Sequence, residues 1–198
     1  MLRAADVTAC LVTRGDQSEM MQRIRESLIF DQVIVWNNRE RGRDFKTAGR
    51  YAGASEATTR AVYFQDDDVI VPVATQEALL AAYESGVMVA NWGHGENADG
   101  YDDLPLVGGG AIVDRELPLY ALDKYLEHYP MDDGFLYEAD FVAGVLYEKF
   151  RHVHLPFEIE MQVAQHESRL VNQPFQKELK LRITEQARAV RDGAMVTA

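Results

Sequence analysis

Three consecutive carboxylates, Asp66-Asp67-Asp68, stand between the apolar runs Ala61-Val62-Tyr63-Phe64 and Val69-Ile70-Val71, and Pro72 stops the second run. Neighbouring like charges repel one another, and removal from water adds to that cost. A divalent cation relieves both penalties. Mg²⁺ and Mn²⁺ want oxygen ligands and usually share one or two carboxylates with a substrate diphosphate. The triplet therefore reads as a metal–diphosphate site at a strand end, or as a solvated acidic turn. Residue types alone weigh the two equally.

The elements that must position the triplet can be read along the chain. Val7–Thr13 is short and rich in β-branched residues, as a buried strand is, and Arg14-Gly15-Asp16 closes it. Asp16 or Ser18 is placed to cap a helix whose apolar positions are Met21, Ile24 and Leu28. Gln32–Trp36 is a second strand ending in Asn37-Asn38, and a polar loop with Arg39, Arg41, Arg43 and Lys46 follows. A short helix is expected over 52–59. The third strand runs into the triplet, Thr75 is placed to cap a helix through Tyr83, and Val87–Ala90 is a fourth strand.

Strand–helix–strand alternation implies an α/β fold with a mostly parallel central sheet and helices on its faces. Ligands of open α/β sheets bind beyond the carboxyl ends of the strands. Thr13-Arg14, Asn37-Asn38 and Asp66–Asp68 all lie at such ends, so they are expected to share one crevice.

The second half begins with a turn-rich segment, 91–105. Leu106–Val113 reads as a strand interrupted by Gly108-Gly109-Gly110, where another group can approach the backbone closely. Helices are expected over 117–129, over 137–150 and over 175–191, with Asp132-Asp133-Gly134 as a turn. Asp140 would then lie near a helix start, where the dipole favours a carboxylate. His152–Leu155 is a last strand, on which His152 and His154 share a face; packing is the favoured role for both.

The chain has 198 residues, enough for one domain, 1–198, divided into a nucleotide half (1–90) and an acceptor half (91–198). Its formal net charge of −12 excludes binding through nucleic-acid phosphates as a general mode. No apolar run reaches the length of a membrane span. The single Cys10 rules out an intrachain disulfide, so a reducing, cytoplasmic setting is expected.

Several blocks, in order, resemble the exostosin-type glycosyltransferases of the GT-A fold. They are Val12-Thr13-Arg14, Val33-Ile34-Val35-Trp36-Asn37-Asn38, Ala61 through Asp68, Leu106 through Arg115, and Tyr137-Glu138-Ala139-Asp140-Phe141. Together they span roughly residues 7–172. The resemblance implies a Rossmann-like nucleotide half joined to an acceptor half. It also implies a retaining transfer of a sugar from a nucleoside diphosphate donor, usually a UDP-sugar, with Mn²⁺ (or Mg²⁺). Carried over, Asp68 would ligate the metal and Asp66 would face the ribose or sugar; Asp67, beside them, reads as an orienting or solvated carboxylate rather than a ligand. Arg14 and Asn37 would contact the nucleotide, assisted by Asn38, and Asp140 would lie beside the anomeric carbon. Where the family has two acidic residues this chain has Ala139-Asp140.

His166 and Arg169 are of types that can close over a donor, Arg169 as a charge-assisted contact and His166 as a metal ligand. Asp140 is suited to act as nucleophile or to stabilise an oxocarbenium-like state. A non-catalytic protein that binds a nucleotide or glycan on the same fold is the alternative. An Asp-x-Asp phosphatase is disfavoured, because Ile70 stands where Thr or Val is needed. The acceptor is not specified by the sequence.

Overall fold

The computed structural model describes residues 2–13, 15, 18–92, 104–147, 149–155, 158–159 and 174–194. Eight strands and six helices alternate along them. The strands are β1 (Val7–Thr13), β2 (Gln32–Asn37), β3 (Ala61–Phe64), β4 (Val69–Ile70), β5 (Met88–Ala90), β6 (Ala111–Asp114), β7 (Phe150–His152) and β8 (Glu158–Ile159). The helices are α1 (Ser18–Ser27), α2 (Gly49–Glu56), α3 (Val73–Ala82), α4 (Glu116–Leu126), α5 (Asp133–Leu146) and α6 (Gln176–Arg191).

Six strands form the central sheet in the order β2-β1-β3-β6-β5-β7, and β4 pairs with β8 apart from it. Three of the five pairings are parallel: β1–β2, β1–β3 and β5–β7. The strand β6 runs antiparallel to both β3 and β5. The expected α/β architecture, a mostly parallel central sheet flanked by helices, is therefore present. Because β6 lies between β3 and β5, the second half of the chain contributes a strand to the middle of the sheet.

Alternation along the strands sends neighbouring side chains to opposite faces. Cys10, Val62, Phe64, Ala90 and Val113 pack with residues of α2, α4, α5 and α6. Ala9, Ala61, Tyr63, Val89 and Ile112 pack on the other face with Leu79 of α3. Leu11 joins Met20, Met21 and Ile24 of α1 on that second side. The result is three layers, and β1, covered on both faces, is buried at every position. Burial pushes the Cys10 thiol up to about 12, so it behaves as a small apolar side chain.

Several boundaries differ from the sequence expectation. The expected helix over 52–59 begins at Gly49, after a 3-10 turn at Lys46–Ala48, and ends at Glu56. Gly49 makes this placement feasible. A Cβ there would lie 2.6 Å from Trp36 Cδ1 and 2.7 Å from Val12 Cγ2, so only glycine lets α2 start against β1 and β2. Thr75 does not cap α3; the helix starts at Val73 behind Pro72, whose fixed φ suits a helix entry. Asp132-Asp133-Gly134 is not a turn. Asp132 is an N-cap, accepting from the Phe135 N–H at 2.9 Å, and the helix begins four residues before Tyr137. His154 lies beyond β7 with φ +53°, so the two histidines do not share a strand face, although their rings stay 5.3 Å apart.

Candidate functional site

Three neighbouring strands end on one side of the sheet. Thr13 pairs with Asn37 in the β1–β2 register, and β3, beside β1, leads through Gln65 into the triplet. Gln65 is fully buried, accepts from the Tyr63 hydroxyl at 2.8 Å and donates to the Val69 carbonyl at 2.8 Å, which ties the two ends of the acidic turn together. The ends of β1, β2 and β3 therefore lie side by side, and Thr13 is hydrogen-bonded to Asp67. A cleft of about 840 Å³ opens at the ends of β1 and β2; its lining includes Thr13, Gly15, Arg25, Glu26, Asn37 and Glu40 and no residue of the triplet.

Each carboxylate of the triplet has a different environment. Asp66 Oδ1 accepts from Arg50 Nη2 at 2.5 Å, and its backbone N–H donates to the Gly108 carbonyl at 2.9 Å. Gly108 meets the Asp66 carboxylate so closely that a Cβ would fall 2.1 Å from Oδ2. The close approach expected at the glycine run is thus made by the triplet itself. Asp67 is pushed up to about 6, first by burial and then by the Asp66 charge, while a hydrogen bond from Thr13 opposes the rise. Asp68 is buried.

Asp140 reaches the same place from the other half of the chain. Tyr51 donates to its Oδ1 at 2.7 Å, and Arg50 Nη1 stands 3.6 Å from its Oδ2. Arg50 therefore bridges the strand-end acid Asp66 and the helical acid Asp140 while being itself almost wholly buried. Burial works against the guanidinium charge, but Asp140 and Asp66 outweigh it and raise the Arg50 pKa. Burial also dominates at Asp140, whose carboxyl sits above the ordinary range despite Arg50.

Asp140 does not stand at the start of α5; it is eight residues in. The helix breaks at Glu138 (φ −115°, ψ 23°), so Asp140 lies two residues beyond the break. Thr47 supports the break, its hydroxyl reaching the carbonyls of Leu136 at 3.1 Å and Tyr137 at 2.7 Å. Gln176 of α6 donates to Glu138 Oε1 at 3.2 Å. Burial pushes Glu138 up to about 7, and Lys180 only partly opposes it.

This carries a stability prediction. Below about pH 4.5 Glu138 is protonated in both folded and unfolded chains and has no effect. As pH rises toward the folded value of about 7, the folded chain holds a proton that the unfolded chain has lost, so stability falls across that window. Glu138→Gln is expected to be more stable than wild type at pH 8 by on the order of 2 kcal/mol and equal at pH 4. Urea unfolding at the two pH values checks this.

Asn38 is turned inward and spent on the loop. Its Nδ2 donates to the Lys46 carbonyl at 3.1 Å and its Oδ1 accepts from the Phe45 N–H at 3.0 Å. Asn37 Oδ1 accepts from the Arg39 N–H at 3.1 Å. Arg14, His166 and Arg169 lie outside the described residues. The sequence reading missed Arg50, Tyr51 and Thr47. Its one available signal was an arginine and a tyrosine set among small residues in Gly49-Arg50-Tyr51-Ala52-Gly53-Ala54, a composition that permits close packing on a sheet.

Among the described residues no three His, Cys, Asp or Glu side chains are grouped to hold a metal ion by themselves. No described helix is long and apolar enough to cross a membrane. No protein-family profile and no curated protein sequence matches the chain. Among solved structures it is similar to a Drosophila beta-1,4-galactosyltransferase 7 mutant in complex with manganese, UDP-Gal and xylobiose. That likeness has 17% identity, covers 82% of this chain and 75% of that chain, and has a TM-score of 0.47. At this level it does not assign a family.

Proposed function

We propose that the chain is a metal-dependent glycosyltransferase of the GT-A type, moving a sugar from a nucleoside diphosphate donor, with UDP the favoured nucleotide, to an acceptor. One observation carries the reading: buried Arg50 bridges Asp66, at the carboxyl end of β3, and Asp140, on α5. A solvated acidic turn has no use for a buried guanidinium linked to a second acid from the other half of the chain.

The donor set suits a hard divalent cation. Carboxylate oxygens stand at the strand end, and a hard cation bound through one or two carboxylates would complete its shell with phosphate oxygens and water. Asp68 would hold it, with His166 as the further candidate. Mn²⁺ or Mg²⁺ would neutralise charge on the departing diphosphate. Thr13, Arg14 and Asn37 would line the nucleotide's place, Asp66 and Asp67 would face the ribose and sugar, and Arg169 would add a cationic contact. Asp140, linked to Asp66 through Arg50, would face the anomeric carbon and serve transfer with retention. Asn38 serves by bracing the loop behind Asn37.

The test is turnover with a panel of UDP- and GDP-sugars and Mn²⁺, with the anomeric configuration of the product read by NMR. Wild type is expected to consume at least one donor in a metal-dependent manner. Asp68→Ala is expected to weaken metal-dependent nucleotide binding by about tenfold or more, read by calorimetry. No turnover of any donor, together with unchanged nucleotide binding by Asp68→Ala, would sink the proposal. Ala139 keeps a second reading in play, because it is fully buried in the core where the resembled family has an acid. A non-catalytic nucleotide- or glycan-binding protein would bind donor in calorimetry without turnover and without response to Asp140→Ala.

A further inference from the structure

We propose that Tyr51 is a positioning residue for Asp140, fixing which edge of that carboxylate faces the donor sugar; the inference rests on the glycosyltransferase reading above. The hydroxyl donates to Asp140 Oδ1 at 2.7 Å, and the guanidinium of the preceding residue faces Oδ2 at 3.6 Å. Both oxygens are thus referenced to consecutive residues of one helix, α2. A carboxylate hydrogen-bonded at one oxygen and faced by a cation at the other has a preferred orientation about its Cβ–Cγ bond, and the Tyr51 hydrogen bond is the contact that sets it.

The phenol is itself fixed. Its ring is 2% exposed and lies 5.1 Å from the Phe64 ring at an interplanar angle of 57°. Phe64 is the last residue of β3, two before Asp66, so the tyrosine is braced by the strand that carries the triplet. Burial, followed by the Asp140 charge, holds the phenol well above its ordinary pKa, which keeps it a donor at neutral pH. The Asp140 side chain retains 21% exposure, so it can still be reached from outside.

The charged and titratable groups around Asp140 are Arg50 and Tyr51 from α2, Asp66 from the end of β3, Lys180 from α6 and Glu138 from its own helix. Removing the Tyr51 hydroxyl takes away a donor that favours the ionised form and leaves burial and Asp66 opposing it. A reaction that needs ionised Asp140 then loses activity first at low pH.

Tyr51→Phe tests this with the ring retained. Its kcat is expected to fall about tenfold to a hundredfold. Donor KM should stay within about twofold, because ground-state binding does not use the hydroxyl. The acid limb of the kcat profile and the ¹³C titration of the Asp140 carboxyl should both move to higher pH. A fluorotyrosine at position 51, a stronger donor of nearly unchanged size, should move both the other way; this arm stands if Tyr51→Phe folds poorly. An unchanged Asp140 titration in both variants overturns the inference. The titration needs no donor, so it decides the role of Tyr51 even if wild type turns over no sugar, a result that instead defeats the glycosyltransferase reading.

Discussion

Arg50→Met is expected to unfold in urea with a stability loss of about 2 kcal/mol at pH 8, below the scale of breaking a fully buried ion pair because both acids keep some contact with water. Arg50 has 2% side-chain exposure and faces two acids, Asp66 at 2.5 Å and Asp140 at 3.6 Å. Methionine fills much of its volume but removes the guanidinium that bridges the two carboxylates, leaving Lys180 as the cation near Asp140. The loss should shrink at pH 5. Without the guanidinium, Asp140 rises further above its unfolded value, so the folded variant binds a proton that the unfolded chain releases. Stability contributed in this way is present at low pH and is lost as pH rises, so the variant's curve falls more steeply toward alkaline pH than the wild type's. An equal loss at both pH values would mean that packing, not charge, is what Arg50 supplies. Arg50→Lys should recover only part of the loss, because one ammonium cannot reach two acids as a planar fork does.

Gly108→Ala is expected to cost about 1–3 kcal/mol, the range for forcing an extra methyl into a filled site. The added Cβ would lie 2.1, 2.3 and 2.6 Å from Asp66 Oδ2, Cγ and Oδ1. Asp66 has little freedom to retreat, since Arg50 holds its carboxylate and its N–H is bonded to the Gly108 carbonyl. Donor affinity should fall with stability, because the same displacement pulls Asp66 off Arg50. A double-mutant cycle isolates the cause. In an Asp66→Ala background the alanine at 108 meets no carboxylate, so its cost should largely vanish. If Gly108→Ala costs the same in both backgrounds, the clash with Asp66 is not its origin.

Some of this was legible in the sequence because it is written locally. The strands β1, β2 and β3 follow from short β-branched and apolar runs, and their ends follow from the polar residues after them. The glycine run announced a close approach without saying what approaches. The helix boundaries fared worse. Asp132 looked like part of a turn because the signals for a turn and for an N-cap are the same residue types. The helix α2 was placed late because three of its eight residues are glycine or serine and its apolar positions have no clear period.

The sequence by itself determined the α/β order and the placing of Thr13, Asn37 and Asp66–Asp68 at the ends of strands. Those properties depend on side-chain pattern over a few residues and on the general rules of parallel sheets. That these strands are neighbours is a property of the sheet order. Only the tertiary structure decided which side chains share charge. Arg50 meets Asp66 across 16 residues of chain, and Tyr51 meets Asp140 across 89. No local pattern encodes such contacts. They arise because Gly49 lets α2 lie against the sheet, because the break at Glu138 carries Asp140 toward α2, and because a buried guanidinium must find carboxylates in whatever elements pack against it.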